Sequence, residues 1–371
     1  MPLSSVLYLL LRDRSADLKS QRQATALVSD NSTGSVAVSA VHFQASADGP
    51  SYSVMVKRDV VLAAGAIQSP ALLQLSGIGP ASVLAAAGVE VVLDLPGVGR
   101  NLNEQTSTVS GFTLAEGVSF EGKGPSDCIA FPGFDVLFPD AAERETVKQR
   151  LNASIATYAQ EAFDAGAVVS AEAGQALFAL QQKLIVDGQV GLFEAFFDSG
   201  YPNGGFGLDS WGLLPFSRGS VEIVSRDAFE KPQVDPRYFS AGFDMDVQVA
   251  GMRFGRQAFK TAPLADIVSG ENQPGYALVP DSATGGSDAD WSQWIQSTFG
   301  SVSHPIATCM MASRELGGVV DGNLVVYGTS NVRVVDASVL PMQVSAHLSA
   351  TIYGVAEMAA ERIKSARRSA Q

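Results

Sequence analysis

Asp59-Val60-Val61-Leu62-Ala63-Ala64-Gly65-Ala66-Ile67-Gln68-Ser69-Pro70-Ala71-Leu72-Leu73-Gln74-Leu75-Ser76-Gly77-Ile78-Gly79-Pro80 is the stretch whose reading decides the fold. After Asp59, residues 60–66 form a continuous apolar run ending in small residues, the pattern of a strand buried on both faces. The segment after it reads as a helix. Ser69 is its expected N-cap, Pro70 stands in the first turn, and Gly77 is the stop. A buried strand running into a helix points to a sheet covered by helices.

On the N-terminal side, residues 36–43 are β-branched and small. A polar turn from Ala45 to Pro50 and a second run from Tyr52 to Val56 complete an expected hairpin. On the C-terminal side, residues 81–105 read as a short helix, a strand over Val89–Leu93 and the turn Leu95-Pro96-Gly97-Val98-Gly99. Residues 140–187, 244–260 and 287–298 read as helical. Residues 191–240 return to strands, with Val221–Val224 alternating. The chain closes with a strand over Val332–Asp336 and a long helix from about Ser345. There Leu348, Ile352, Val355, Ala359 and Ile363 recur at three-to-four spacing.

Composition narrows the function classes. The 371 residues suit two domains, or one domain with an inserted lobe, and 46% apolar content supplies a buried core. A formal net charge of −13 argues against holding nucleic acid by phosphate neutralisation. No apolar run approaches the roughly 18 residues of a membrane span. Residues Val6–Leu11 are apolar but are followed by Arg12 without a small-residue cleavage pattern, so no signal peptide is read there. Cys128 and Cys309 are the only cysteines; one or both are expected to be free and buried, a single bridge being the alternative. With no CxxC, no HExxH and three histidines (His42, His304, His347), no metal site is expected. The sequons Asn31-Ser32-Thr33 and Asn152-Ala153-Ser154 are compatible with secretion.

Two histidines stand in unusual settings. His304 precedes a proline in Ser303-His304-Pro305-Ile306-Ala307-Thr308-Cys309. His347 falls where a strand–loop–helix corner puts it in the first helical turn. A helix N-terminus disfavours an imidazolium and leaves a neutral base. A hydrogen-bonded structural role is the competing reading for each.

The motifs taken together carry more than each alone. Ala64 through Pro80 looks like the second signature of the glucose-methanol-choline (GMC) oxidoreductases, which use FAD. Leu95-Pro96-Gly97-Val98-Gly99-Arg100-Asn101-Leu102 resembles the element that follows it. Leu214-Pro215-Phe216-Ser217-Arg218-Gly219 and Asp235-Pro236-Arg237-Tyr238 look like the substrate-domain sheet. His304–Gly318, Val334–Pro341 and Ser345-Ala346-His347 resemble the C-terminal region. Asn101-Leu102-Asn103-Glu104-Gln105, Trp211–Phe216 and Cys309-Met310-Met311 echo the glucose oxidase subgroup.

The resemblance implies a mixed α+β and α/β fold. Residues 1–110 would form part of an FAD-binding domain and 111–300 a substrate-binding domain with an antiparallel sheet flanked by helices. Residues 301–371 would return to the FAD-binding domain with the catalytic histidines. It implies alcohol oxidation at CH–OH, with hydride passing to flavin N5 and His304 as base. His347 is its partner and Glu194 the acid bonded to His347. Gly65, Asn101, Asp336, Ala337 and His347 would lie at the cofactor, and Phe196 and Trp211 at the substrate. Without the family, Asp336 reads as a cap and Gly65 as a strand terminator. Oxygen or a quinone would be the electron acceptor, a homodimer is among the assemblies it allows, and secretion is its usual setting.

Two departures shape the expectation. The chain has no GxGxxG, so it resembles the C-terminal two-thirds or so of a family member and, alone, is expected to bind FAD poorly or not at all. Gly300 and Val302 stand where glucose oxidases carry an arginine and an asparagine that bond sugar hydroxyls. A less polar alcohol than glucose is therefore expected. A non-redox cyclase on the same scaffold and an inactive fragment are the alternatives.

Overall fold

The computed structural model describes residues 23–30, 35–119, 128–188, 190–200 and 204–369. The Val6–Leu11 run and the first sequon lie outside them. Strands β1 (Gln23–Asp30), β2 (Ala37–Gln44) and β3 (Tyr52–Met55) form an antiparallel sheet in that order, which includes the expected hairpin. Strand β4 (Val60–Leu62) leads through Gly65 into α1 (Gly65–Leu75). Then come β5 (Ile78–Gly79), α2 (Ala81–Ala86) and β6 (Leu93–Asp94), with β5 and β6 paired in parallel. The strand expected over Val89–Leu93 is reduced to β6, which among the described residues pairs with the two residues of β5.

The opening stretch needs two corrections. Helix α1 starts at Gly65, not Ser69, and Pro70 lies inside it. A proline there leaves the carbonyl four residues earlier without its helical donor. The Thr308 hydroxyl supplies one, donating to the Ala66 carbonyl at 2.6 Å. The Ser69 hydroxyl accepts from the Ala64 amide and donates to Asp336, so it ties the corner instead of capping a later helix. Gly77, with φ +79°, follows the helix end as expected. Strand β4 is not buried on both faces: Leu62 is buried but Val61 is 41% exposed.

The central body is a six-stranded antiparallel sheet. It comprises β7 (Thr106–Leu114), β8 (Cys128–Ala130), β9 (Phe193–Ser199), β10 (Phe206–Gly212), β13 (Val268–Gln273) and β14 (Gly300–Ser301). Short α3 (Phe134–Leu137) and the long α4 (Ala141–Asp164) and α5 (Ala171–Asp187) come between β8 and β9. Asp140 and Ser170 cap the last two through their side chains. Strands β11 (Ser220–Glu222) and β12 (Gln233–Asp235) form a separate hairpin. Helix α6 (Gly242–Ala258) lies against one face of the sheet, and α7 (Asp288–Thr298) packs on α6. Gly251 and Gly255 permit the close approach of α6, since a Cβ would lie 2.2 Å from the Phe193 ring and 2.0 Å from Leu208. The other face, carrying Glu194 and Trp211, remains for the site.

The chain returns through β15 (Val332–Val334), parallel to β4, and ends in α8 (Leu348–Ser369). Both cysteines are free, Cys309 buried and Cys128 exposed, so the alternative of a bridge is not realised. Among the described residues no helix is long and apolar enough to cross a membrane.

One buried side chain joins several of these parts. Arg218, 1% exposed, donates from Nε to Asn101 Oδ1 at 2.9 Å and from Nη2 to Gln181 Oε1 at 2.7 Å. Nη1 donates to the carbonyls of Pro215 and Ser217, and the guanidinium lies over the Phe178 ring. Burial lowers its pKa to about 10, against the opposing pull of Asp244. Replacing Arg218 with Met would leave the side-chain oxygens of Asn101 and Gln181 buried without this donor and Asp244 without its opposing charge. A loss of about 3–5 kcal/mol is expected, read from chemical denaturation of the chain.

Candidate active site

The geometry begins with a five-residue segment, Asn101 to Gln105, that runs buried from the turn at Gly99 into β7. Buried polar side chains must find partners, and these find them in distant segments. Asn101, at φ +61°, accepts from Arg218 and donates to the Pro341 carbonyl at 3.2 Å. Asn103 donates to the carbonyls of Pro215 and Ser217. Glu104 accepts the backbone N–H of His304 at 2.9 Å and of Gln105 at 2.8 Å on one oxygen, and the Ser301 hydroxyl on the other. Gln105 donates to the Leu213 carbonyl at 2.9 Å and meets His304 Nδ1 at 2.8 Å.

His304 is therefore held from several sides. Gln343 donates to its carbonyl at 2.8 Å and also to that of Asn103. The preceding residue, Ser303, has a left-handed φ of +65°, uncommon for a non-glycine and stabilised by these bonds. The amides of Cys309 and Met311 bond the carbonyls of Ser338 and Val339. These contacts bring the His304 segment against the one that leads into α8.

His347 comes from the start of that helix, directly before α8 and not inside its first turn. Its ring lies edge-on to that of His304, centroids 5.4 Å apart, so the two expected histidines do meet. His347 Nε2 donates to Glu194 Oε1 at 2.7 Å. Glu194 is fully buried on β9, and burial raises its pKa, with His347 opposing. Its second oxygen makes no well-aligned bond, yet the indole N–H of Trp211, its direct cross-strand neighbour, still favours the charged form. Trp211 meets the His347 ring edge-on at 5.6 Å and Phe196 lies 5.8 Å from it. For His304, burial first and the charge of His347 second lower the pKa. A neutral base is therefore available at neutral pH.

The residues expected at the cofactor divide in two. Gly65, at φ +80°, has open space where a Cβ would stand. Asp336 accepts from the Gly65 amide at 2.9 Å, the Ser69 hydroxyl at 2.5 Å, and the Ser338 amide and hydroxyl. Its carboxylate is thus occupied by protein donors, as the side chain of Asn101 is by protein partners, and both hold backbone in place. Ala337 opens the short 3-10 turn after Asp336. Glu104, Gln105 and Gln343 were given no role by sequence reading. For Glu104 and Gln105 the signal was a run of polar residues directly before a strand; Gln343 carried none.

Two models of GMC oxidoreductases match the chain, an N-terminal one over residues 6–107 and a C-terminal one over 215–356. The chain belongs to the GMC oxidoreductase family. It is 40% identical over 322 residues to a glucose oxidase-like protein, fsoC, of Humicola fuscoatra, covering 86% of this chain and 52% of that protein. It is 33% identical over 353 residues to a glucose oxidase of Penicillium chrysogenum, covering 95% of this chain and 56% of that enzyme. A solved structure described as a new fungal aryl-alcohol oxidase superposes with a TM-score of 0.80 at 30% identity, covering 92% of this chain and 60% of that one. The chain spans about half the length of the curated relatives it matches.

Glu104 is the test of how the His304 loop is held. Replacing it with Ala removes a buried charge-assisted acceptor from two amides. Amide exchange at His304 and Gln105 should rise on the order of tenfold for each ~1.4 kcal/mol of local stability lost, read by hydrogen–deuterium exchange.

Proposed function

We propose that this chain carries the substrate side of an FAD-dependent oxidoreductase acting on the CH–OH group of a primary or secondary alcohol less polar than glucose. The observation that carries the reading is the His304–His347–Glu194 cluster beside Trp211 and Phe196. FAD, when bound, supplies the hydride acceptor that a side chain cannot. The corner at Gly65 fits such a group, because its positive φ and the space beside it allow close approach. In this reading Asp336 holds the Gly65 corner, Asn101 holds Pro341, and Ala337 and His347 belong to the segment bordering the cofactor.

His304 takes the hydroxyl proton of the alcohol. Its lowered pKa keeps it unprotonated, and loss of that proton makes the carbinol carbon a better hydride donor. His347, held by the Glu194 carboxylate, would once protonated offset negative charge developing nearby. Phe196 and Trp211 form the wall against which the substrate lies.

The strand register supports a less polar substrate. Glu194, Trp211, Ser107 and Gly300 form one row across β9, β10, β7 and β14 on a single face. Glu194 is held by His347, Gly300 has no side chain, and Ser107 Oγ donates to the Gly300 carbonyl. Val302 packs against the apolar core. The next row, Phe196, Asp209 and Val109, places a carboxylate beyond the aromatic wall; burial and the nearby Asp198 raise its pKa to about 6. A sugar would leave hydroxyls unpaired near the histidines, an unfavourable exchange of water for apolar surface.

In flavin-loaded enzyme without oxygen, an aromatic or aliphatic alcohol should bleach the flavin absorbance and glucose should not. H304A should slow bleaching by ~10²–10⁴-fold. Substrate turnover without bleaching would instead favour the cyclase reading. The acid limb of kcat/KM should lie below the ordinary imidazole value of about 6.5, because the base must be neutral and its protonation is delayed to lower pH.

A further inference from the structure

We infer that Gln105 is a positioning residue that fixes the proton of neutral His304 on Nδ1 and leaves Nε2 as its only basic nitrogen. The inference rests on the reading of His304 as the base.

An amide side chain can be turned end for end, so its orientation must come from its partners. Gln105 is fully buried, and one end faces the Leu213 carbonyl at 2.9 Å. A carbonyl oxygen only accepts, so the amide nitrogen must stand there. The amide oxygen then faces His304 Nδ1 at 2.8 Å. That oxygen carries no hydrogen, so Nδ1 must donate. Turning the amide would oppose two carbonyl oxygens at Leu213. The backbone of His304 cannot easily move away, since Glu104 holds its N–H and Gln343 its carbonyl.

The neighbouring imidazole has the opposite arrangement. His347 Nε2 meets the Glu194 carboxylate, an acceptor, and so carries the hydrogen of that ring. Two rings 5.4 Å apart are thereby set in complementary tautomers by two different buried acceptors. When His304 acts as base, the alcohol O–H bond breaks, its proton joins Nε2, and the electron pair stays on the alcohol oxygen. Nδ1–H remains bonded to Gln105, so the proton taken up at Nε2 must also leave from Nε2. Proton entry and exit share one side of the ring.

The test is a long-range proton–nitrogen correlation spectrum of the full 371-residue chain labelled with 15N-histidine, in which only three rings contribute. His304, assigned by its loss in H304N, should show a pyrrole-type Nδ1 and a pyridine-type Nε2. His347 should show the reverse. Q105M, which keeps the shape and removes the acceptor, should lose the Nδ1–H signature while His347 keeps its own. Q105E, which restores an acceptor, should recover it. A wild-type His304 that is protonated at Nε2 or averaged between tautomers would overturn the proposal. So would a folded Q105M that keeps Nδ1–H. If Q105M does not fold, the wild-type spectrum decides by the same criterion. The spectrum needs neither flavin nor turnover. An Nδ1–H signature together with full activity in H304A would sink the base assignment and leave the tautomer assignment standing.

Discussion

A buried polar segment without regular secondary structure has to satisfy its hydrogen bonds through distant parts of the chain. Residues 101–105 are such a segment, and that requirement organises the molecule around them. Their backbone groups pair with Ala167, Gly219, Ile306 and Val302, and their side chains with residues near 215, 301–304 and 341. Arg218 extends the network to Gln181 on α5. A segment with partners in so many places cannot shift without leaving several groups desolvated and unpaired, which makes it a rigid support for a base.

The electrostatics of the site follow from how deeply each group is buried and what faces it. His304 is half-buried beside a second imidazole, and both influences favour its neutral form. Glu194 is fully buried, and desolvation opposes its charge. His347 and the Trp211 indole oppose that effect. The pair is asymmetric because their acceptors differ, a neutral amide for His304 and a carboxylate for His347. Two chemically identical side chains therefore stand in different environments, which suits the different roles proposed for them.

Much of the fold was legible because helix and strand periodicity is a local property. The hairpin of β2 and β3, helices α4 to α7, the β15 strand and the apolar stripe of α8 all follow from spacing, caps and turns. The errors occur where a distant residue overrides a local signal. Pro70 reads as a helix start, but Thr308 repairs the hydrogen bond it removes and the helix begins at Gly65. Where the local reading of Asp336 as a cap is met, through Ser338, distant partners are added to it, the Gly65 amide and the Ser69 hydroxyl.

The sequence by itself determined the chemical inventory: two imidazoles, a carboxylate embedded in an apolar strand, an aromatic pair, and family motifs in their usual order. It also determined the amphipathic elements that carry them, because side-chain periodicity is written in neighbouring residues. Only the tertiary structure decided that His304 and His347 meet edge-on, that Glu194 takes the second ring, and that Gln105 faces the first. Those outcomes depend on where buried donors from distant segments find acceptors, a condition met only when the whole chain has packed.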